Sequence, residues 1–347
     1  MKLATAIASP IDIRLTETVP TGAGGIGDRG GLRLLITTND GYIGLGETAP
    51  IPGVKGYGIE SLGGEISKWS AASEGKNPQE LLEGLDGVGL SALARFAVHT
   101  ALVDLIAGAN GIPLSQYLRA GSPETVSVNS LVSAANPGAV HSQVSEEVAE
   151  GVTSIKLKVG VAEPTSDVTR IIAASEAAGP NVELRLDANR AWDRETAERV
   201  LGRVGYHRIS YIEDPTDKLE EYGLIRESTG VRVALDLPPD ISPQQALETS
   251  GASVLVVKPA AIGGVDRILD LARKYDDLTL VVSSSIDREI ALAAAIHAAS
   301  ALPVPTAHGL STGSIVRSMP TELLASGGVM KVPTSIGVFR PPAPTED

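Results

Sequence analysis

The 347-residue chain contains no cysteine. That excludes disulfides, thiolate metal sites and a cysteine nucleophile, while leaving the compartment open. Aromatic residues make up only 3% of the sequence, too few for an obvious base-stacking platform. Positive charge is short as well. A formal net charge of −13 argues against nucleic acid or an anionic membrane as partner, because both call for a basic surface. No window holds the about 18 uninterrupted apolar residues of a membrane span. In "MKLATAIASPIDIRL", Pro10 and Asp12 break the apolar run too early for a signal-peptide core. A cytoplasmic protein is the expectation. No motif bears on oligomeric state.

What is present is ample core material, 43% hydrophobic residues, and a change of texture along the chain. In the first part, "IDIRLTE", "LRLLITT" and "YIGLGE" read as strands. The last two flank a turn at Asn39, Asp40 and Gly41. The Gly-rich "VPTGAGGIGDRGG" has the composition of a mobile flap or a disordered loop. Helical patterns follow near 58–72, 78–86 and 90–107, the last ending on Gly108. From about residue 125, short apolar runs alternate with amphipathic ones: "VSVNSLVS", "SIKLKV", "VELRLDA", "ISYIEDP", "VRVALDL", "SVLVVKP", "TLVVSSS" and "VPTAHGL". Eight strand–helix units with nearly continuous apolar strands predict an α/β fold, a (β/α)8 TIM-type barrel over 125–320. Residues 1–124 are expected to form a mixed α+β domain, with "RPPAPTED" frayed at the end of the 321–347 tail. A doubly wound open sheet is the alternative.

The strands end in polar residues at recurring intervals. Lys158, Asp187, Glu213, Asp236 and Lys258 are spaced 29, 26, 23 and 22 residues apart, about one βα unit each. In a parallel barrel these ends open on one mouth. Lys156 shares a face with Lys158, because i and i+2 point the same way on a strand. Taken singly, each feature has a bland explanation. A Lys-x-Lys strand can be a solvated edge, Asp-Pro a turn, and Lys258 half of a structural ion pair. Six residues in register with the strand count outweigh those explanations.

Three carboxylates on neighbouring strands repel one another, by about 3 kcal/mol per pair at roughly 5 Å and an effective dielectric near 20. A cation relieves this, and an all-oxygen set suits a hard ion, Mg2+ first and Mn2+ second. Two ammonium groups about 7 Å apart cost each other roughly 2 kcal/mol, which is expected to lower the lysine pKa. A lysine so tuned can take a proton from carbon. The substrate class that follows is a small-molecule carboxylate.

The motifs "KLK" (Lys156, Lys158), "LDANRAW" (Asp187, Asn189), "YIEDP" (Glu213), "ALD" (Asp236) and "VVKPAAIGG" (Lys258), with "GYIGLGETAPIPG" (Gly44, Gly46, Glu47) in the N-terminal part, resemble the enolase superfamily in its muconate-lactonizing subgroup, which implies that 1–124 is a capping domain with the tail 321–347 packing back on it. The segments "VVSSSIDREIALAAAIHAASALP" and "HGLSTGS" are most similar to the o-succinylbenzoate synthase family. Dipeptide epimerases carry an Asp-x-Asp pair on the eighth strand, which "TAHGLSTG" lacks. The resemblance implies dehydration of 2-succinyl-6-hydroxy-2,4-cyclohexadiene-1-carboxylate to 2-succinylbenzoate in menaquinone synthesis, through a metal-stabilised enediolate. It implies Lys158 as base and then acid, Lys258 as a charge across the ring, and Lys156 as electrostatic support. It also implies Mg2+ on Asp187, Glu213 and Asp236. Asn189, Ser284, Ser285, Gly309 and Ser311 become expected substrate contacts, with Arg29 closing over from the flap. His308 is a weaker candidate contact, and "DLPPD" departs from the Asp-Glu-Ser that many relatives read after the fifth strand. Related readings are an N-acylamino acid racemase or a muconate cycloisomerase. A Schiff-base aldolase on Lys258 is the alternative from another class, and a non-catalytic, cation-stabilised barrel a further one.

Overall fold

The computed structural model describes residues 1–21, 24–50, 58–161, 163–239 and 241–340. The "IPG" of the cap motif, Asp240 of "DLPPD" and the end of the proline-rich tail lie outside the described residues.

The cap begins with Leu3–Ile13, antiparallel to Arg29–Thr38, which in turn pairs with Ile43–Thr48. The hairpin turn falls where Asn39, Asp40 and Gly41 predict it, and Gly41 takes φ +85°, open to glycine without strain. Within the Gly-rich segment Val19–Thr21 pairs antiparallel with Gly24–Ile26, while residues 22 and 23 lie outside the described residues. Helices Ile59–Ser73, Pro78–Glu83 and Ala92–Ala109 match the expected patterns. Ala92–Ala109 is long and apolar enough to cross a membrane, yet 83% of it is buried inside the fold. It is a core helix.

That helix explains the glycines of "GLGE". A Cβ on Gly44 would lie 2.1 Å from the Ala101 carbonyl, and one on Gly46 would lie 1.9 Å from the Ala97 carbonyl. The strand can touch the helix backbone only because both positions lack a side chain. The next residue, Glu47, turns the other way and joins the two parts of the molecule. Its Oε2 accepts the Ile290 and Ala291 backbone N–H groups, at 2.9 and 3.1 Å, in the first turn of the barrel helix Glu289–Ala301. A carboxylate there satisfies otherwise orphaned donors and complements the helix dipole.

The barrel sheet runs in sequence order through Ser130–Val132, Ser154–Lys158, Glu183–Asp187, Ile209–Glu213, Val233–Asp236, Val254–Val257 and Thr279–Val282, all parallel. The ring closes through an eighth position that is shorter than predicted. His308 bridges Val128, and Gly309 bridges Ser283. Backbone bonds from Asn129 N to His308 O (3.0 Å) and from Gly309 N to Val282 O (2.9 Å) complete the cylinder. Helices from Pro137–Ala149 to Glu289–Ala301 pack outside it. After the eighth position the chain makes a short 3-10 turn, Gly313–Ile315, where a regular eighth helix is the expectation. The predicted first strand is split. Thr125–Ser127 leaves the barrel to pair antiparallel with Val329–Lys331 of the tail.

His297 ties three segments together. Its Nδ1 accepts the Ser115 N–H at 3.0 Å, and its Nε2 lies 2.7 Å from the Val338 carbonyl. Only the neutral ring with its proton on Nε2 serves both partners. Burial lowers its pKa from 6.5 to about 4.

Two stability predictions follow from these packing relations. Gly46→Ala is expected to lose about 3 kcal/mol in urea melts, because strand and helix must part. Gly64→Ala, in a helix with nothing within 4 Å, is expected to gain about 0.5–1 kcal/mol. Equal effects at the two sites would sink the close-contact account. His297 binds its proton more weakly in the native than in the unfolded state, so its contribution is complete above pH 6.5 and is lost as pH falls toward 4. Between pH 7.5 and 5.0 this costs the parent about 2 kcal/mol. The stability gap between parent and His297→Asn is therefore expected to narrow by that amount, and a pH-independent gap would refute it.

Candidate active site

Side-chain alternation builds the mouth. Ser154, Lys156 and Lys158 point inward, while Ile155 and Leu157 are fully buried against the helices outside. In the next strands Lys158 stands opposite Asp187, and Asp187 opposite Glu213. Asp236 ends the fifth barrel strand, and Lys258 follows the sixth as the residue entering the short helix Pro259–Ile262. The six residues therefore converge on one rim, as their spacing predicts.

Their contacts are ion pairs. Lys156 Nζ lies 2.9 Å from Asp187 Oδ2 and 2.8 Å from Glu213 Oε1. Lys158 Nζ lies 2.7 Å from the same Asp187 oxygen and donates also to Asn189 Oδ1. Lys258 pairs with Asp236. Burial alone would raise the Asp187 carboxyl, but the two ammonium groups outweigh it and hold it below the ordinary range. Glu213 is pushed up to about 7 by burial, with Asp187 and Asp236 adding to the push against Lys156.

The expectation that strand repulsion lowers the pKa needs correction for Lys156. Burial disfavours charge on Lys156, yet Asp187 and Glu213 raise its pKa well above the usual value. Asp236 does the same for Lys258, again against burial. Like-charge repulsion along the strand loses to carboxylates at contact distance, because Coulomb energy falls with separation and the acids are closer than the neighbouring amines.

Asn189 sits where the resemblance implies, but its carboxamide faces Lys158. Ser284 Oγ is 2.6 Å from Thr312 Oγ1 and accepts the Ile286 N–H. Ser285 Oγ is buried with no hydrogen-bond partner among the described residues, which leaves it available to a ligand. Gly309 packs on Ser283, with no room for a Cβ. Ser311 lies half-buried in the following turn. Arg29 departs from its expected role. Its guanidinium donates to the carbonyls of Pro50 (2.7 Å), Ile286 (2.6 Å) and Ser285, so it tethers cap to barrel instead of covering a substrate. His308 is likewise structural. Its Nδ1 accepts the Val282 N–H at 3.1 Å, and burial lowers its pKa to about 3.

Three residues escaped the motif reading. Asp214 accepts the Tyr222 hydroxyl and the Asp236 backbone N–H, each at 3.0 Å, and Arg190 Nε at 2.8 Å. It thereby fixes the start of the metal-candidate Asp236. The signal was present in "YIEDP", where the second acid reads as a turn residue. No spacing rule linked it to Arg190 or Tyr222.

The donor set fits a hard dication. All its atoms are oxygens, Glu213 is pressed by two other carboxylates, and Asp236 Oδ1 is buried with no hydrogen-bond partner among the described residues. The residues that would hold it are Asp187, Glu213 and Asp236. Among the described residues no three acids or histidines already gather about one point, since lysines pair with all three carboxylates.

Comparison with known proteins agrees with this construction. Residues 139–338 match the family described as Enolase C-terminal domain-like. An o-succinylbenzoate synthase of Thermobifida fusca is 34% identical over 217 residues, 60% of this chain and 67% of that protein. A hydrophobic dipeptide epimerase of Enterococcus faecalis is 26% identical over 279 residues, 78% of each. Among solved structures, a dipeptide epimerase from Enterococcus faecalis V583 complexed with Mg and L-Leu-L-Tyr superposes with a TM-score of 0.86, 23% identity and coverage of 97% and 99%. The N-succinyl Arg/Lys racemase of Bacillus cereus gives 0.87 at 22%, covering 97% and 95%. With a capped barrel, charged strand ends and a family match over more than half its length, this chain belongs to the enolase superfamily.

Proposed function

We propose that this protein is an o-succinylbenzoate synthase, dehydrating 2-succinyl-6-hydroxy-2,4-cyclohexadiene-1-carboxylate to 2-succinylbenzoate in menaquinone biosynthesis. The observation that carries the reading is the chemistry at the seventh and eighth strand ends. Ser284, Ser285 and Thr312 offer hydroxyl groups there. The acid of that segment, Asp287, is engaged by the Ser285 N–H at 2.8 Å and faces Arg29. Hydroxyls suit the carboxylate arm of a succinyl group, whereas a dipeptide ammonium calls for a free carboxylate. The Thermobifida fusca relative bears the same name. Residues 1–124 and 321–347 serve as the cap in this reading, and 125–320 as the catalytic barrel.

Lys158 takes the proton from the carbon beside the substrate carboxylate. The bonding pair moves into that carboxylate as an enediolate, then returns to expel the hydroxyl group from the adjacent carbon. Lys158 delivers the same proton to the departing oxygen, so one water leaves and the ring becomes aromatic. Asn189 and Asp187 aim the Lys158 amine. Lys156 and Lys258, kept protonated by their carboxylates, face the developing negative charge. Mg2+ held by Asp187, Glu213 and Asp236 would add positive charge for the substrate carboxylate.

Racemisation of N-acylamino acids is the second reading. It is favoured by the position of Lys258 just after the sixth barrel strand, across the ring from Lys158 at the end of the second.

The deciding assay incubates protein, Mg2+ and the cyclohexadiene substrate and follows the aromatic product by absorbance. Turnover is expected, with Lys158→Ala losing about 10³-fold or more in kcat. No turnover, together with solvent deuterium entering N-succinyl amino acids, would favour the racemase instead. Chelation by EDTA is expected to abolish activity and Mg2+ to restore it. Survival in EDTA with inactivation by borohydride would instead support a Schiff base on Lys258.

A further inference from the structure

The ionic mouth has one apolar wall. Leu131 is paired in register with Lys156, and directly paired residues of a parallel ladder face the same way. Lys156 reaches inward to Asp187 and Glu213, so Leu131 also points into the barrel. Its neighbours Ser130 and Val132 pair with Ile155 and Leu157, whose side chains pack outside. Yet Leu131 is 46% exposed, and among the described residues it is the only large apolar residue of a barrel strand left in this state. The charged side chains of the rim are more covered: Lys156 is 15%, Lys158 17% and Glu213 4% exposed. Ser133, just past the end of that strand, is exposed too. Open space in the mouth therefore lies against the first strand, beside the lysines.

An exposed leucine inside a cavity is unfavourable until something apolar covers it. We propose that Leu131 is a specificity-determining residue, the surface on which the hydrocarbon ring or chain of the substrate packs while its carboxylate faces the charged side of the mouth. The ligand class is a carboxylate carrying a compact apolar body of about ring size. This rests on the carboxylate-processing reading of the site, but not on which reaction follows.

Calorimetric titration of the Mg2+-supplemented full chain separates the two. The probes are 2-succinylbenzoate, N-succinylphenylalanine and, as the ring-free control, succinate. Leu131→Ser is expected to weaken the ring-bearing probes about tenfold and leave succinate unchanged. Leu131→Met is expected to remain within about twofold of the parent, since it restores apolar volume. Circular dichroism melts of both variants report folding. Binding of N-succinylphenylalanine but not of 2-succinylbenzoate would count against the synthase reading while still testing Leu131. Equal losses for ring-bearing and ring-free probes, no loss at all, or a parent protein that binds neither ring-bearing probe would each overturn the inference.

Discussion

Two carboxylates, Asp187 and Glu213, are buried to 1% and 4% exposure at the mouth of a barrel, and the surrounding structure answers that fact. A lone ionised carboxylate removed from water costs several kcal/mol. The pleat places Lys156 where its ammonium reaches both acids. Lys158 shares the Asp187 oxygen, and Lys258 takes Asp236. Removing any one charge strands another, because breaking a buried pair costs more than the pair contributes. The arrangement is thus coupled, and a dication entering it must change the partners of the lysines. That exchange links metal occupancy to the freedom of the Lys158 amine.

Directional bonds join the cap to this mouth. Glu47 supplies the N-terminal acceptor for the helix after the seventh strand, and Arg33 reaches both Glu47 and Glu289. Arg29 grasps the carbonyls of Ser285 and Ile286. Ile286 needs such support. At φ +60° it occupies left-handed backbone, where a β-branched residue is strained. Asn189, Arg190 and Asp214 share that condition, with φ of 44°, 65° and 42°. All four follow barrel strands at the catalytic face, and strain of this kind persists only where neighbours over-determine the backbone. The Asp214 contacts with Arg190, Tyr222 and Asp236 are one such set of neighbours.

The barrel and its charged rim were legible because both depend on periodicity. Strand alternation decides facing, and unit length decides which residues share a mouth. Lys156, Lys158, Asp187, Glu213, Asp236 and Lys258 needed nothing else. What escaped depends on where a flexible side chain ends. Position alone suggested that Lys156 and Lys158 repel, whereas the folded chain sends each ammonium to an acid. Arg29 lay in a Gly-rich stretch that read as a flap, although its partners are carbonyls 256 and 257 residues away. The eighth strand was legible as an apolar run but not as a two-residue bridge. Beside its backbone bonds the His308 ring accepts the Val282 N–H, a contact with no sequence period.

In the synthase reading, fixed charge and movable proton have separate supports within one ring. Lys156 and Lys258 face acids that raise their pKa values, which suits groups that must stay charged while negative charge develops nearby. Lys158 is held differently. It shares Asp187 with Lys156, and its other partner is the neutral Asn189 carboxamide. A carboxamide oxygen orients an ammonium without the full attraction of a carboxylate. Replacing Asn189 by aspartate would place a second carboxylate against the Lys158 ammonium, as Lys156 already has. The neutrality of that one neighbour distinguishes the amine assigned to proton transfer from the two assigned to electrostatic support, although all three arise from strand ends of the same barrel.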